Sequence, residues 1–223
     1  MSVELGAGHS WHDPRGALDI DSSKAAFDLA LGTIEADQSA GAQQWSDEWN
    51  TGIADGTFAV MLCPIWMLDY IEGVSAGSDE EVVWDIADLP GPGGNAGGSF
   101  LAIPDQFDDA TTTAAYDFVE WLIQPEQQLR VLHDTGQIPS RPALYDDANI
   151  KEMTNPAFSD APTGEIFSQA VTEMPEVRPG TPEDAEITAA VVSVLREVQA
   201  GNIEVSDAWQ KASNAATTIQ GSD

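Results

Sequence analysis

Three observations predict an α/β fold class for this 223-residue chain. Apolar runs of strand length stand at 57–62, 81–90 and 100–104, they are few, and segments with helical periodicity separate them from the rest of the chain. No internal repeat and no clear linker interrupts the order, so one lobe is the economical count. A hydrophobic content of 42% is enough for a real core at this length.

The elements follow in order. After a loop expected to be exposed, Asp and Ser residues around 19–23 cap a helix carrying Phe27, Leu31 and Ile34, and Gly41 lies beyond its end. Trp45, Trp49 and Ile53 fall four apart and predict one face of a second helix stopped by Gly56. The run 57–62 predicts a short, fully buried strand, after which Pro64 suits the first turn of a helix bearing Trp66, Tyr70 and Ile71. A second strand is expected at 81–90. Five glycines in the nine residues 91–99 then predict a loop before the strand 100–104. Ala115, Phe118, Val119 and Leu122 form one helical stripe, and Pro125 and Gly136 bracket the next helix. A rigid loop at 137–142 and a loop-rich stretch around a short helix near 165–174 lead to the strongest helical pattern, Ile187, Ala190, Val191, Val194, Leu195 and Val198. Ser206 is expected to cap a last helix through Trp209, Ala212 and Ala216.

Charge narrows the function. Eight Lys and Arg against 38 Asp and Glu give a net charge of −30, so the chain has no means of neutralising a run of phosphates, and nucleic acid is excluded as a partner. An anionic membrane surface is disfavoured for the same reason. The acids are scattered, as on a solvated surface, which suits either salt adaptation or an ordinary acidic secreted protein. The longest apolar run, 58–68, is interrupted by Pro64 and is shorter than the roughly 20 residues that a membrane helix needs. Cys63 has no partner for an internal disulfide and reads as a small buried hydrophobe.

Reactive chemistry finds little support. His9, His12 and Asp13 offer part of a metal site without a second ligand cluster, so no metal and no cofactor is expected. No Ser stands in a strand-to-helix elbow, and among the acids only Asp69 and Glu120 have apolar neighbours that would suit a glycosidase carboxylate. The glycine loop lacks the G-K-[ST] of a phosphate loop; it offers either close backbone approach to a ligand or a flexible connection. Seven tryptophans are the more informative surplus. The C–H face of a pyranose stacks on an aromatic ring while its hydroxyls need planar polar partners. Trp45, Trp49 and Trp66, with Asn95, Gln137, Arg141 and Arg178, supply both, whereas Trp84, Trp121 and Trp209 are expected in the core.

The ordered set "GTFAVMLCPIWMLDYIEG", "WDIADLPGPGGNAGGSFLAIP", "AYDFVEWLIQPEQQLRVLHDTGQIPS" and "NPAFSDAPTGEIFSQA" resembles the C-terminal part of family 1 extracellular solute-binding proteins, the sugar-capturing components of bacterial ABC importers. Within that family it looks most like binding proteins for cellobiose and related β-linked oligosaccharides. The resemblance implies a type II periplasmic-binding-protein-like fold that hinges on a sugar, with no enzymatic activity. It implies that residues 1–223 are a C-terminal part, an opening segment 1–20 and a helix-rich lobe 21–223, and that the N-terminal lobe and the signal that would anchor a lipoprotein lie outside it. Expected partners are an oligosaccharide, that other lobe and the membrane permease, at the cell surface. Carried over by position, Trp66 is an aromatic platform at a helix start, Gly97, Gly98 and Ser99 line the cleft, and Arg178 sits where the chain returns to it. Ala96 stands where relatives often carry an aromatic residue, which puts one sugar subsite in doubt. The alternatives are a glycoside-acting enzyme and a binding protein for a non-sugar polar solute.

Overall fold

The computed structural model describes residues 10–78, 82–91, 94, 99–174 and 180–221. Among these, nine α-helices stand in order: α1 Lys24–Glu35, α2 Asp47–Ala54, α3 Leu68–Ser75, α4 Asp109–Leu122, α5 Pro125–Thr135, α6 Ala148–Lys151, α7 Thr163–Glu173, α8 Asp184–Gln199 and α9 Val205–Gln220. Short 3-10 turns at Ile20–Ser23, Ile65–Met67, Pro142–Leu144 and Pro156–Phe158 join them.

The helix boundaries follow local chemistry. Ser46 caps α2, its hydroxyl accepting from the Trp49 amide at 3.2 Å, with Asp47 and Glu48 in the first turn where the helix dipole favours anions. Asp108 caps α4 through the Thr111 amide at 2.8 Å. Pro125 opens α5, and Gly136, at φ 66°, ends it by donating to the Leu132 carbonyl at 2.8 Å. At α9 the cap position is Glu204, not Ser206, and no side chain bonds there.

Two cores form. In the first, Phe27 and Leu31 of α1 pack against Ile187, Val191, Val194 and Val198 of α8 and against Ala208, Ala212 and Ala216 of α9. The alanine stripe recurs every four residues and lets α9 approach its neighbours closely. Trp11 closes this core from the opening segment, where Ser10, Trp11 and His12 are buried and, among the described residues, only 14–17 are exposed as expected; the buried three are held by hydrogen bonds to α8. In the second core, Trp49 and Ile53 of α2, Met67, and Leu68 and Ile71 of α3 meet Phe158 and Ala161.

The strand expectations need correction. Among the described residues the only bridges are isolated ones, His12 with Leu18 and Asn155 with Ala161, and no ladder forms. The segment from Val82 keeps the burial pattern of a strand: Val82, Trp84 and Ile86 are half-buried, the latter two against the second core, while Val83 and Asp85 face out. Alternation records which side faces a core; pairing depends on a neighbour that local sequence does not specify. The run 57–62 is not fully buried, since Phe58 and Met61 pack inward while Val60 is 84% exposed. Phe100 is 94% exposed. Trp84 and Trp209 pack against the cores as expected. Trp121, expected in the core, stands exposed, because the half-buried ridge of α4 is Ala115, Val119 and Leu122, one face away from it.

Candidate functional site

The aromatic residues converge where α2 and α3 begin. Trp66 lies in the 3-10 turn after Pro64 and is 42% exposed. Trp45 does not continue α2. It precedes the cap Ser46 and occupies the third position of the turn closed by the Ser46 amide on the Gln43 carbonyl at 3.0 Å. Its φ of 72° is the left-handed region, which a bulky residue enters at a cost of roughly 1–3 kcal/mol and keeps only where packing over-determines it. Three rings supply that packing: Trp66, nearly parallel at 19° and 6.0 Å between centroids, Trp49 at 5.1 Å, and Tyr70 edge-on at 5.2 Å. Trp45 remains 50% exposed. Trp49 is buried beneath the pair, so it supports the surface from the core side.

Tyr70 was not among the expected site residues, although its place four after Trp66 marks it as a neighbour on the same side. Its hydroxyl donates to Asn50 Oδ1 at 2.6 Å, tying α3 to α2 beside the rings. A notch of about 50 Å³ adjoins the turn, lined by Ile65, Leu68 and Asp69 on one side, Thr135 and Gly136 at the end of α5, and Thr154 and Asn155. It has room for water, not for a sugar ring, since small-molecule sites run from about 300 Å³ upward. The aromatic pair is therefore one open wall.

The other expected residues divide. Gln137 follows Gly136, so α5 brings its loop against the turn that carries Trp66. Arg141 is directed elsewhere: its guanidinium donates to the Ile123 carbonyl at 3.3 Å, at the negative end of α4. Ser99 is described and exposed. His9, Asn95, Ala96, Gly97, Gly98 and Arg178 lie outside the described residues. Asp69 and Glu120 are exposed on helices. Burial pushes the Cys63 thiol up to about 11, and its Sγ donates to the Pro64 carbonyl at 3.3 Å.

The histidine motif has a structural use. His12 is buried with its Nδ1 2.8 Å from Asp184 Oδ1 at the start of α8, and Ser10 donates to the other oxygen at 2.9 Å. Asp13 instead takes the Ala17 amide and the Arg15 guanidinium, which lower its pKa to about 2. Burial opposes the charge on Asp184, but the Thr181 amide, the Ser10 hydroxyl and His12 outweigh it and hold the carboxyl below the usual range. A lowered folded-state pKa adds stability above the unfolded value near 4, and this is lost as pH falls through the folded value. Asp184→Asn is therefore expected to cost roughly 1–2 kcal/mol at pH 7 and to flatten the acid limb of stability below pH 4, read by urea unfolding across pH. An acid limb unchanged in the variant would show that the network does not set it.

The sequence profile of the family described as "Bacterial extracellular solute-binding protein" matches residues 16–159, more than half of the chain. A crystal structure of a protein described as "Extracellular solute-binding protein family 1" superposes with a TM-score of 0.83 at 29% identity, over 98% of this chain and 56% of that one. A T. maritima protein, described as maltose-bound MalE3, superposes with a TM-score of 0.63 at 21% identity, over 96% of this chain and 54% of its own, which shows the fold. The chain thus spans about half the length of these neighbours. A search of curated protein sequences gave no match. Among the described residues, no helix is long and apolar enough to cross a membrane.

Proposed function

Since the chain belongs to the bacterial extracellular solute-binding proteins, we propose that it serves a carbohydrate ABC importer, capturing an oligosaccharide and presenting it to a membrane permease. The observation that carries this reading is the exposed Trp45–Trp66 pair held at the start of two helices. An aromatic surface of that kind takes the C–H face of a pyranose, and Gln137, beside the notch that Asp69 and Asn155 line, is a candidate for its hydroxyls. A structural neighbour described as maltose-bound agrees with a sugar. Within that class we favour β-linked, cellobiose-like oligosaccharides, on the resemblance of the whole ordered set of segments to binding proteins for such sugars. The open geometry of the wall supports a cleft completed by a second lobe.

The test is a tryptophan-fluorescence titration with cellobiose, longer β-glucan oligomers, maltose, xylo-oligosaccharides and chitobiose. One sugar class should give a saturable shift, and Trp66→Ala should weaken it by about tenfold or more, the scale of 1–2 kcal/mol for one lost ring contact, with unchanged circular dichroism. A sugar response untouched by Trp66→Ala, or a response to non-sugar solutes alone, would sink the proposal.

A further inference from the structure

The left-handed backbone of Trp45 needs a contact beyond its own turn to hold the ring in place. At φ 72° an indole sits where glycine is at home, and the turn closed on Gln43 fixes the chain after Trp45 without fixing its side chain. Tyr70 reaches the site twice. Its ring stands edge-on to Trp45, 5.2 Å away at 81°, and lies along Trp49 at 5.9 Å and 31°. Its hydroxyl donates to Asn50 Oδ1 at 2.6 Å in a partly buried hydrogen bond. Asn50 is itself fastened next to Trp45, because its amide donates to the Ser46 carbonyl at 3.0 Å in the first turn of α2. With the hydroxyl anchored, the Tyr70 ring keeps one position, and so does the edge on which Trp45 packs.

We infer that the Tyr70–Asn50 hydrogen bond is a clasp that keeps Trp45 stacked on Trp66 before any solute arrives, which makes Tyr70 and Asn50 positioning residues of the aromatic wall. This rests on the reading of the Trp45–Trp66 pair as a solute platform. The two residues act through Trp45 and not by touching the solute. The alternative open to Trp45 is a negative φ, which re-aims the indole and unstacks it from Trp66. The clasp sets the populations of the two arrangements. A solute that needs both rings then binds in proportion to the stacked fraction, so apparent affinity falls as that fraction falls. A wall set in advance spares the solute the cost of ordering it.

Circular dichroism and sugar titration of the same variants test the clasp. The packed indoles should give an exciton couplet, and Trp45→Phe marks its baseline. Tyr70→Phe keeps the ring and deletes the donor; it should lower the couplet by about two- to fivefold and weaken cellobiose binding by the same factor, the scale of one net hydrogen bond. Saturating cellobiose should restore the couplet, because the solute selects the stacked arrangement. Asn50→Leu should reproduce Tyr70→Phe, and Asn50→Asp, which keeps an acceptor oxygen, should match the native chain. Helicity should stay native in all of them. A couplet in Tyr70→Phe equal to the native one overturns the inference, whether or not a sugar binds. So does affinity lost at an unchanged couplet, which would put the Tyr70 hydroxyl on the solute itself, or loss of helicity in both Tyr70→Phe and Asn50→Leu, which would make the bond a determinant of the fold. A native chain that answers to no sugar sinks the sugar reading alone, since the couplet comparison decides the clasp without one.

Discussion

Phe27→Ala is expected to destabilise the chain by about 3–5 kcal/mol, the range for a fully enclosed aromatic truncated to alanine. Phe27 is buried at the meeting of α1, α8 and α9, with the Trp209 ring edge-on at 5.2 Å and 63°. Removing it withdraws apolar area and leaves a cavity that three helices would have to shift together to fill. Leu29→Ala, two residues along and exposed, should stay within about 0.5 kcal/mol. Urea unfolding of both variants at fixed salt decides the matter. A cost for Phe27→Ala below about 1 kcal/mol would mean that the three helices do not share one core.

Gly164→Ala is expected to cost roughly 3 kcal/mol, at the upper end for overpacking, because backbone is the obstacle. Gly164 is buried in the first turn of α7, and its amide donates to the Met153 carbonyl at 3.0 Å. A β-carbon there would overlap the Ile150 carbonyl oxygen and approach Met153 Cβ to 3.0 Å. Ile150 is itself fully buried on α6, so the clash has no flexible side chain to absorb it. Gly32→Ala offers the opposite sign: a β-carbon within α1 meets nothing within 4 Å, and helix propensity then predicts a gain of about 0.5–1 kcal/mol. A thermal melt of Gly164→Ala that does not fall would overturn the close approach at Gly164, and one of Gly32→Ala that does fall would overturn the open space at Gly32.

Helices were legible in the sequence where their signals were local. Pro125 and Gly136 bound α5 as their chemistry demands, and the six-residue stripe from Ile187 to Val198 lies on α8. What failed was partnership. Trp45 shares a four-residue spacing with Trp49, which suggests one helical face, but Ser46 caps α2 and leaves Trp45 outside it. The two rings meet nonetheless, through a left-handed backbone that no spacing rule anticipates. The structural use of His12 was not legible because its companion, Asp184, lies 172 residues away. The family and fold came from an ordered set of segments, none specific alone, which the matching family profile bears out. The aromatic cluster was visible as composition before it was visible as geometry.

The first core has a consequence for the order of events as the chain is made. Trp11 and Phe27 share that core with α8 and α9, with the Trp11 indole donating to Thr188 Oγ1 at 2.7 Å across 177 positions. A chain emerging from a ribosome or a translocation pore cannot complete that core until α8 and α9 have cleared. Its formation waits on α8 and α9 and is of high contact order, slower than the helices that compose it. For a protein of an extracellular family, that lateness keeps the early apolar residues of this core uncommitted while the chain is still in passage.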